Sequence, residues 1–553
     1  MVRRLVLVAC LGLLFGAITW KAWVTDDAYI TFRAVENLVQ GRGPNWNVGE
    51  RVQVFTHPLW MLLMAGVRQF ANEYFYSSIV LGIVLTLGAL LLVRVRLAPP
   101  LPTACAVVAV LAASRAFTDY STSGLENALT HFCLAGLFIL DFQGGRRFVH
   151  HCLFFLAASA CLLCRMDTIF LLLPVLVLHL VRHRHPRLLG AAALGFLPLL
   201  GWEAFSVLYY GFFLPNSASA KLNSGVGTAS LVAQGLRYLS NSLRWDFVTL
   251  VATLAGTGLA LRSGDSRIRA WGIGVFLSLL YVVRVGGDFM SGRFLTAPLW
   301  VAALLLLRLG LQPRAAWVVT AASLLLLFIP YFSPFAERQY GREWYAAIDA
   351  HGIADERTYY DEASLRRILA QHGPPRADMR KHAKALTSAW PEDPLMDSLR
   401  VWVLDPREDW PPRSRRQPSG AEYKRVVLRG AVGYVGFYLG ADTHVIDYHG
   451  IGDPLLARLP ALVPDPVLAG LIPPLAGLGW RIGHFTRAIP AGYVQTLATG
   501  RNQIQDPSLR AYYDKLSLVT RGPLLDRERL RTIWHFQRGE YDHLLRVYRG
   551  FRG

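Results

Sequence analysis

Charge is scarce in this sequence. Only 17% of its 553 residues are Asp, Glu, Lys or Arg, against about 25% in an average soluble chain. With 53% hydrophobic residues and a mean hydropathy of +0.32, this excludes an ordinary soluble protein of this size. Cysteine is sparse too. The six, at 10, 105, 133, 152, 161 and 164, all fall in or beside apolar stretches, so no disulfide framework is legible. Cys161 and Cys164 form a CxxC inside an apolar helix pattern, where small packing residues are expected. No P-loop and no GxGxxG in a strand–helix context occurs, which argues against a nucleotide-sugar donor on a dinucleotide-binding fold. No His, Asp or Glu spacing makes a zinc site. A divalent metal is compatible with clustered acids but not indicated, and no cofactor is assigned.

What is present is a series of apolar stretches, each bounded by charge or by Gly/Pro. They cover 5–23, 76–94, 101–116, 126–142, 148–164, 168–181, 188–210, 247–262, 269–285, 294–308 and 315–332. The first follows Arg3 and Arg4 but lacks a small-x-small cleavage site, and reads as an uncleaved transmembrane helix. Segment 57–70, at 14 residues, reads as interfacial or re-entrant. The sequence thus predicts a multi-pass α-helical membrane protein with about 11 transmembrane helices over 1–332.

Acids are nearly missing from one side of this map. With a cytoplasmic N-terminus, the cytoplasmic connections hold fourteen arginines against a single acid, Asp265. That is the positive-inside pattern, and it explains the net charge of +19 without a nucleic-acid partner. The opposite face collects Asp26/Asp27, the TDYSTSGLE stretch ending at Glu126, Arg165-Met166-Asp167, Pro215 to Lys221, and Gly286 to Arg293. Ionisable groups near membrane depth are costly, so five such motifs on one face point to a shared polar cavity.

Residues 333–553 are rich in Arg, Asp, Pro and Tyr, with no convincing span. Val401–Leu404 and Lys424–Leu428 read as strands, and Gly433–Gly440 with Val445–Asp447 as strand–turn–strand. Stretch 406–419 reads as a loop, and the proline-broken run 460–479 as packing or interfacial. The expectation is an α/β or β-rich extracytoplasmic domain.

The stretch Thr25 to Pro58 carries the densest chemistry. Asp26 and Asp27 stand at a helix start, where one acid suffices to cap orphan N–H groups. Their side chains diverge by about 100°, leaving the other for a cavity. Ile30, Ala34 and Leu38 share one face while Arg33, Glu36, Asn37 and Gln40 point elsewhere, which predicts a helix lying on the membrane surface. Asn45, Trp46 and His57 suit sugar recognition. Glu126 and Asp288 suit sugar or acceptor hydroxyls. Arg293, with Arg165 or Lys221, suits a phosphate. Arg165 and Asp167, at i, i+2, would meet only across a break between two helices.

DDAYITFRAVENLVQGRGPNWNVGERVQVFTHPLW closely resembles the first exterior loop of the terminal arabinofuranosyltransferase family of the mycobacterial cell wall, AftB-like members of the GT-C superfamily. GGDFMSGRF and VIDYHGIGDP, with the later Gly483-His484, are similar to that family as well. The resemblance implies an inner-membrane glycosyltransferase with an extracytoplasmic active site and a polyprenyl-phosphate-linked sugar donor, arabinofuranose in the best-known members. It implies a catalytic role for Asp26 and Asp27 and a glycan or glycoprotein acceptor. Two other classes compete: a flippase for a lipid-linked glycan, which predicts polar motifs on both faces and often an internal repeat, and a structural membrane protein, for which five convergent polar motifs would be superfluous.

Overall fold

The computed structural model describes residues 2–336, 347–349, 351–372, 425–430, 432–461 and 481–550. The chain divides into two compact units, each assembled from three stretches: 1–25, 71–200 and 227–374 in the first, and 26–70, 201–226 and 375–553 in the second.

The first unit is helical. Each apolar stretch expected to span lies on a helix, among them Val2–Trp20, Phe75–Leu97, Asn127–Gln143, Phe148–Cys164, Ser266–Arg284 and Thr296–Leu309. Its core joins Leu134, Phe138, Phe154, Trp271, Trp300 and Leu304, all buried, with Cys161 among them. The same helices are apolar outside: Val80, Val84, Leu91 and Val95 of the Phe75–Leu97 helix stay exposed. A helix apolar all round has hydrocarbon as its outer solvent. Small residues set the closest approaches. A Cβ on Gly274 would lie 2.0 Å from the Leu171 carbonyl oxygen, and one on Gly82 2.3 Å from that of Ser121.

Among the described residues, three helices are long and apolar enough to cross a bilayer alone: Arg3–Trp20, Phe75–Leu97 and Ser266–Arg284. The 188–210 stretch is a pair, Pro186–Gly195 and Leu197–Tyr209, bent by 52°. Counted as one span, the pair makes a fourth. The expected eleven is a larger count than length and composition establish, because helices such as Leu101–Ala113 and Phe247–Leu261 fall short of the ~20 residues of a straight crossing.

In the second unit, helices Asp26–Val39, Pro58–Arg68 and Asn216–Leu222 accompany a two-stranded sheet and four later helices, Tyr493–Thr499, Pro507–Arg521, Arg527–Gln537 and Asp542–Gly550. Strands β1 (Arg425–Arg429) and β2 (Thr443–Asp447) are parallel, with Leu428 opposite Ile446. Both strands overlap the stretches expected at Lys424–Leu428 and Val445–Asp447. The segment between them differs: Gly433–Leu439 is a helix, not a strand. Parallel pairing requires a crossover, and a short apolar run is ambiguous by periodicity alone. Leu428, Ile446, Leu455, Tyr493, Leu509 and Leu516 form the core here. The strand expected at 401–404, the loop at 406–419 and nearly all of the 460–479 run lie outside the described residues.

The Asp26–Val39 helix forms as expected but is buried along most of its length, with Asp27, Glu36, Leu38 and Val39 half-buried. Arg33 and Asn37 are as enclosed as Ile30 and Ala34. The helix's polar residues are tolerated inside because backbone carbonyls take up their donors. Arg33 donates from Nε to Trp46 O at 2.7 Å, from Nη2 to Thr443 O at 2.8 Å, and from Nη1 to Gly436 O. Asn37 donates to Asn45 O at 2.9 Å.

Candidate active site

Asp26 does not cap its own helix. Its Oδ2 accepts the Gly433 N–H at 2.9 Å and its Oδ1 the Tyr434 N–H at 2.7 Å, so both oxygens close the start of the Gly433–Leu439 helix. Those N–H groups are orphan donors of a first turn, and a carboxylate is their strongest partner. Asp27, one residue on, is the less buried of the two. Adjacent acids thus differ in burial, and Asp26 is committed to backbone donors of that helix.

The Asp26 carboxyl is pushed up to about 6, chiefly by burial, with Asp27 and Asp447 adding to the shift and the two cap N–H groups opposing it. This lies above the ordinary 3.8, so the folded chain holds the proton more tightly than the unfolded one. The resulting stability is fully present below about pH 4 and lost as pH rises through about 6. Asp26→Asn removes that dependence. The difference in melting temperature between wild type and variant is expected to shrink from about pH 4 to about pH 7; a gap that widened would contradict the assignment.

Trp46 is fully buried. Its ring is wedged between Gly436 and Gly452, where added Cβ atoms would lie 2.2 and 2.7 Å away, and the Arg33 guanidinium stands 4.6 Å from its centroid. Its indole packs the fold and presents no open face to a sugar. Asn45 is buried and donates to Arg42 O and Tyr209 Oη, both at 3.1 Å. His57 is buried, its Nε2 2.8 Å from Thr31 Oγ1. Lys221 is exposed on the Asn216–Leu222 helix.

Spacing did not single out two further residues of this unit. Asn216 donates to the carbonyls of Gly450, Ile451 and Asp453 at 2.9–3.0 Å and accepts from Arg458 at 3.1 Å. Asp447 accepts the N–H groups of His449, Ile451 and Gly452 at 2.9, 2.6 and 3.0 Å. Together they shape the DYHGIGDP loop. The only signal for them was the family resemblance of that loop and the polar PNSASAK run.

The first unit holds Glu126, Arg165, Asp288 and Arg293. The expected break is there: Arg165 is extended (φ −153°, ψ 113°) between the Phe148–Cys164 helix and a 3-10 turn at Met166–Thr168. Its fork bonds both Asp167 oxygens, at 3.0 and 2.6 Å, and Nη1 reaches Glu126 Oε1 at 3.2 Å. Arg293 lies 3.4 Å from the same Glu126 oxygen and 3.7 Å from Asp288. Two guanidiniums are thus enclosed by three carboxylates. Arg165→Met keeps the stem but leaves buried acids uncompensated, an expected loss of about 3–5 kcal/mol read by thermal or denaturant unfolding in detergent. An unchanged midpoint would show the pairs to be energetically idle. Among the described residues, no group of three or more His, Cys, Asp or Glu is placed to hold a metal ion.

No family model matches the chain. It is similar to the terminal beta-(1->2)-arabinofuranosyltransferase of Mycobacterium tuberculosis, 29% identical over 534 residues, covering 82% of this chain and 81% of that protein. It is also similar to the protein of the same name from Corynebacterium glutamicum, 25% identical, covering 80% and 72%. Among solved structures it is similar to ArnT from Cupriavidus metallidurans bound to undecaprenyl phosphate, with 12% identity, TM-score 0.45, and coverage of 82% of this chain and 76% of that one. By sequence, the chain is similar to two terminal beta-(1->2)-arabinofuranosyltransferases along four-fifths of its length.

Proposed function

We propose that this chain is a multi-pass inner-membrane glycosyltransferase of GT-C type. It moves arabinofuranose from a polyprenyl-phosphate donor to a glycan or glycoprotein acceptor at the extracytoplasmic face. The N-terminus is cytoplasmic, residues 1–332 form the membrane part, and 333–553 lie outside. The observation that carries this reading is the similarity to two arabinofuranosyltransferases over four-fifths of the chain. It favours transfer over transport of a lipid-linked glycan.

In the second unit, Asp27 is assigned as the general base. It takes the proton of the acceptor hydroxyl as that oxygen bonds to the anomeric carbon. The bond from that carbon to the phosphate oxygen breaks, its electron pair leaves with the polyprenyl phosphate, and phosphate needs no general acid. Asp26 positions Asp27 by tying the helix they share to the Gly433–Leu439 helix. In the first unit, Arg293 and Arg165 keep a donor-side role, with Glu126 and Asp288 orienting their forks. Substituting Arg293 should chiefly weaken donor affinity.

The test is the purified chain in detergent with polyprenyl-phosphoryl arabinofuranose and an arabinan oligosaccharide. Mass spectrometry should show the acceptor gaining one pentosyl residue. No product, with movement of the lipid-linked sugar across proteoliposomes instead, would sink the transferase reading.

A further inference from the structure

His449 and His484 belong to the stretches that resembled the family, yet the transfer step above gives them nothing to do. Their rings meet edge to face with centroids 5.1 Å apart. The buried Arg487 frames them. It donates from Nη1 to His449 O at 2.8 Å, from Nε to Leu459 O at 3.3 Å, and to the carbonyls of Phe485 and Ala220. Lys221 follows Ala220 directly. One guanidinium therefore ties together the segments that carry both imidazoles and the lysine. Arg481 joins them through a tight turn, the His484 N–H donating to Arg481 O at 2.8 Å.

Four properties of this cluster point to an anion. The hydrogen bonds of Arg487 go to neutral carbonyls, which leave its charge in place. The neighbouring acid, Asp447, gives both oxygens to backbone N–H groups of its own loop. His449 is buried, and among the described residues its Nδ1 has no hydrogen-bond partner. Lys221 is exposed and His484 half-buried, so the cluster is graded from solvent inward. The electrostatics agree. Burial, with Arg487 and Arg481, holds His449 down to about 3, and burial, with Arg481, His449 and Lys221, holds His484 well below the usual imidazole range. Burial first, with the neighbouring cations adding to it, keeps both rings neutral, and a neutral imidazole still has one N–H to donate.

We propose that Lys221, Arg481, His449 and His484 form a subsite for the phosphate of the lipid-linked donor, and hold it as the polyprenyl phosphate product. This rests on the glycosyltransferase reading. As the sugar leaves, the phosphate gains a second negative charge, and donors already aimed at it stabilise that charge without reorganising.

The test measures binding of farnesyl phosphate, inorganic phosphate and farnesol to the full-length chain in detergent by calorimetry. Wild type is expected to bind farnesyl phosphate well above both others. His449→Leu and Lys221→Ala should each weaken it about tenfold and leave farnesol unchanged. His449→Asn should restore most of the affinity, because its Nδ2 stands where the imidazole Nδ1 stood. Lys221 is exposed, so its variant stays informative if a His449 variant fails to fold. Wild-type affinity for farnesyl phosphate in both the Leu and Ala variants would overturn the subsite. Equal binding of inorganic phosphate would overturn its assignment to a lipid. Loss of affinity in the variants, together with no pentosyl transfer by wild type, would leave the subsite standing and fault the transferase reading instead.

Discussion

Asp27→Asn is expected to slow pentosyl transfer by about two to four orders of magnitude, with a much smaller effect on unfolding. Asp26→Asn should divide the other way. Its carboxylate satisfies two first-turn donors, Gly433 N–H and Tyr434 N–H, and an amide has only one oxygen to offer. A buried donor left unsatisfied costs about 1–3 kcal/mol, so this variant should lose stability and keep more activity than Asp27→Asn. The two measurements, initial rate and unfolding midpoint, separate base from clamp. An inactive Asp26→Asn of wild-type stability beside an active Asp27→Asn would exchange the roles.

Gly433→Ala is expected to have the largest effect on stability. The added Cβ would lie 1.8 Å from the Asp26 carbonyl oxygen and 2.7 Å from its Cγ. Backbone on both sides leaves nothing to rotate away, so the helix start has to lift off Asp26. Both cap hydrogen bonds then go, and the Asp27 carboxylate shifts with its neighbour. The expected loss exceeds about 4 kcal/mol, among the most damaging single substitutions, and transfer should fall with it. Gly436→Ala is the companion, since its Cβ would sit 2.2 Å from Trp46 Cη2, a ring held on its other side by Gly452. Wild-type melting of both would mean that this helix packs elsewhere in the working enzyme.

Much of the architecture was legible in the chain itself. Apolar stretches became helices because hydropathy and helix periodicity are local properties, readable within a window of about 20 residues. The break at Arg165 was legible because i, i+2 partners cannot meet on a helix, and the pairing with Asp167 occurs across an extended residue. The two strands were legible from β-branched runs. The candidate acids were legible as a pair, and the likeness of their surroundings to arabinofuranosyltransferases agrees with the two similar proteins that cover four-fifths of the chain.

The difference between the surroundings of those two acids exists only in the tertiary structure. The partners of Asp26 lie 407 and 408 residues away, and no spacing rule reaches that far. The same holds for Arg33, whose amphipathic setting suggested a surface helix until carbonyls at Gly436 and Thr443, over 400 residues on, took up its donors. Trp46 reads as a sugar platform in a polar loop, but Arg33 covers its ring and two glycines from the far end of the chain pack against it, so it is fully buried. Sequence by itself determined which segments are apolar, where the helices break and which acids stand together, because each follows from neighbours along the chain. Burial and hydrogen-bond partnership were decided by the tertiary structure, because both depend on groups the chain brings close only by folding.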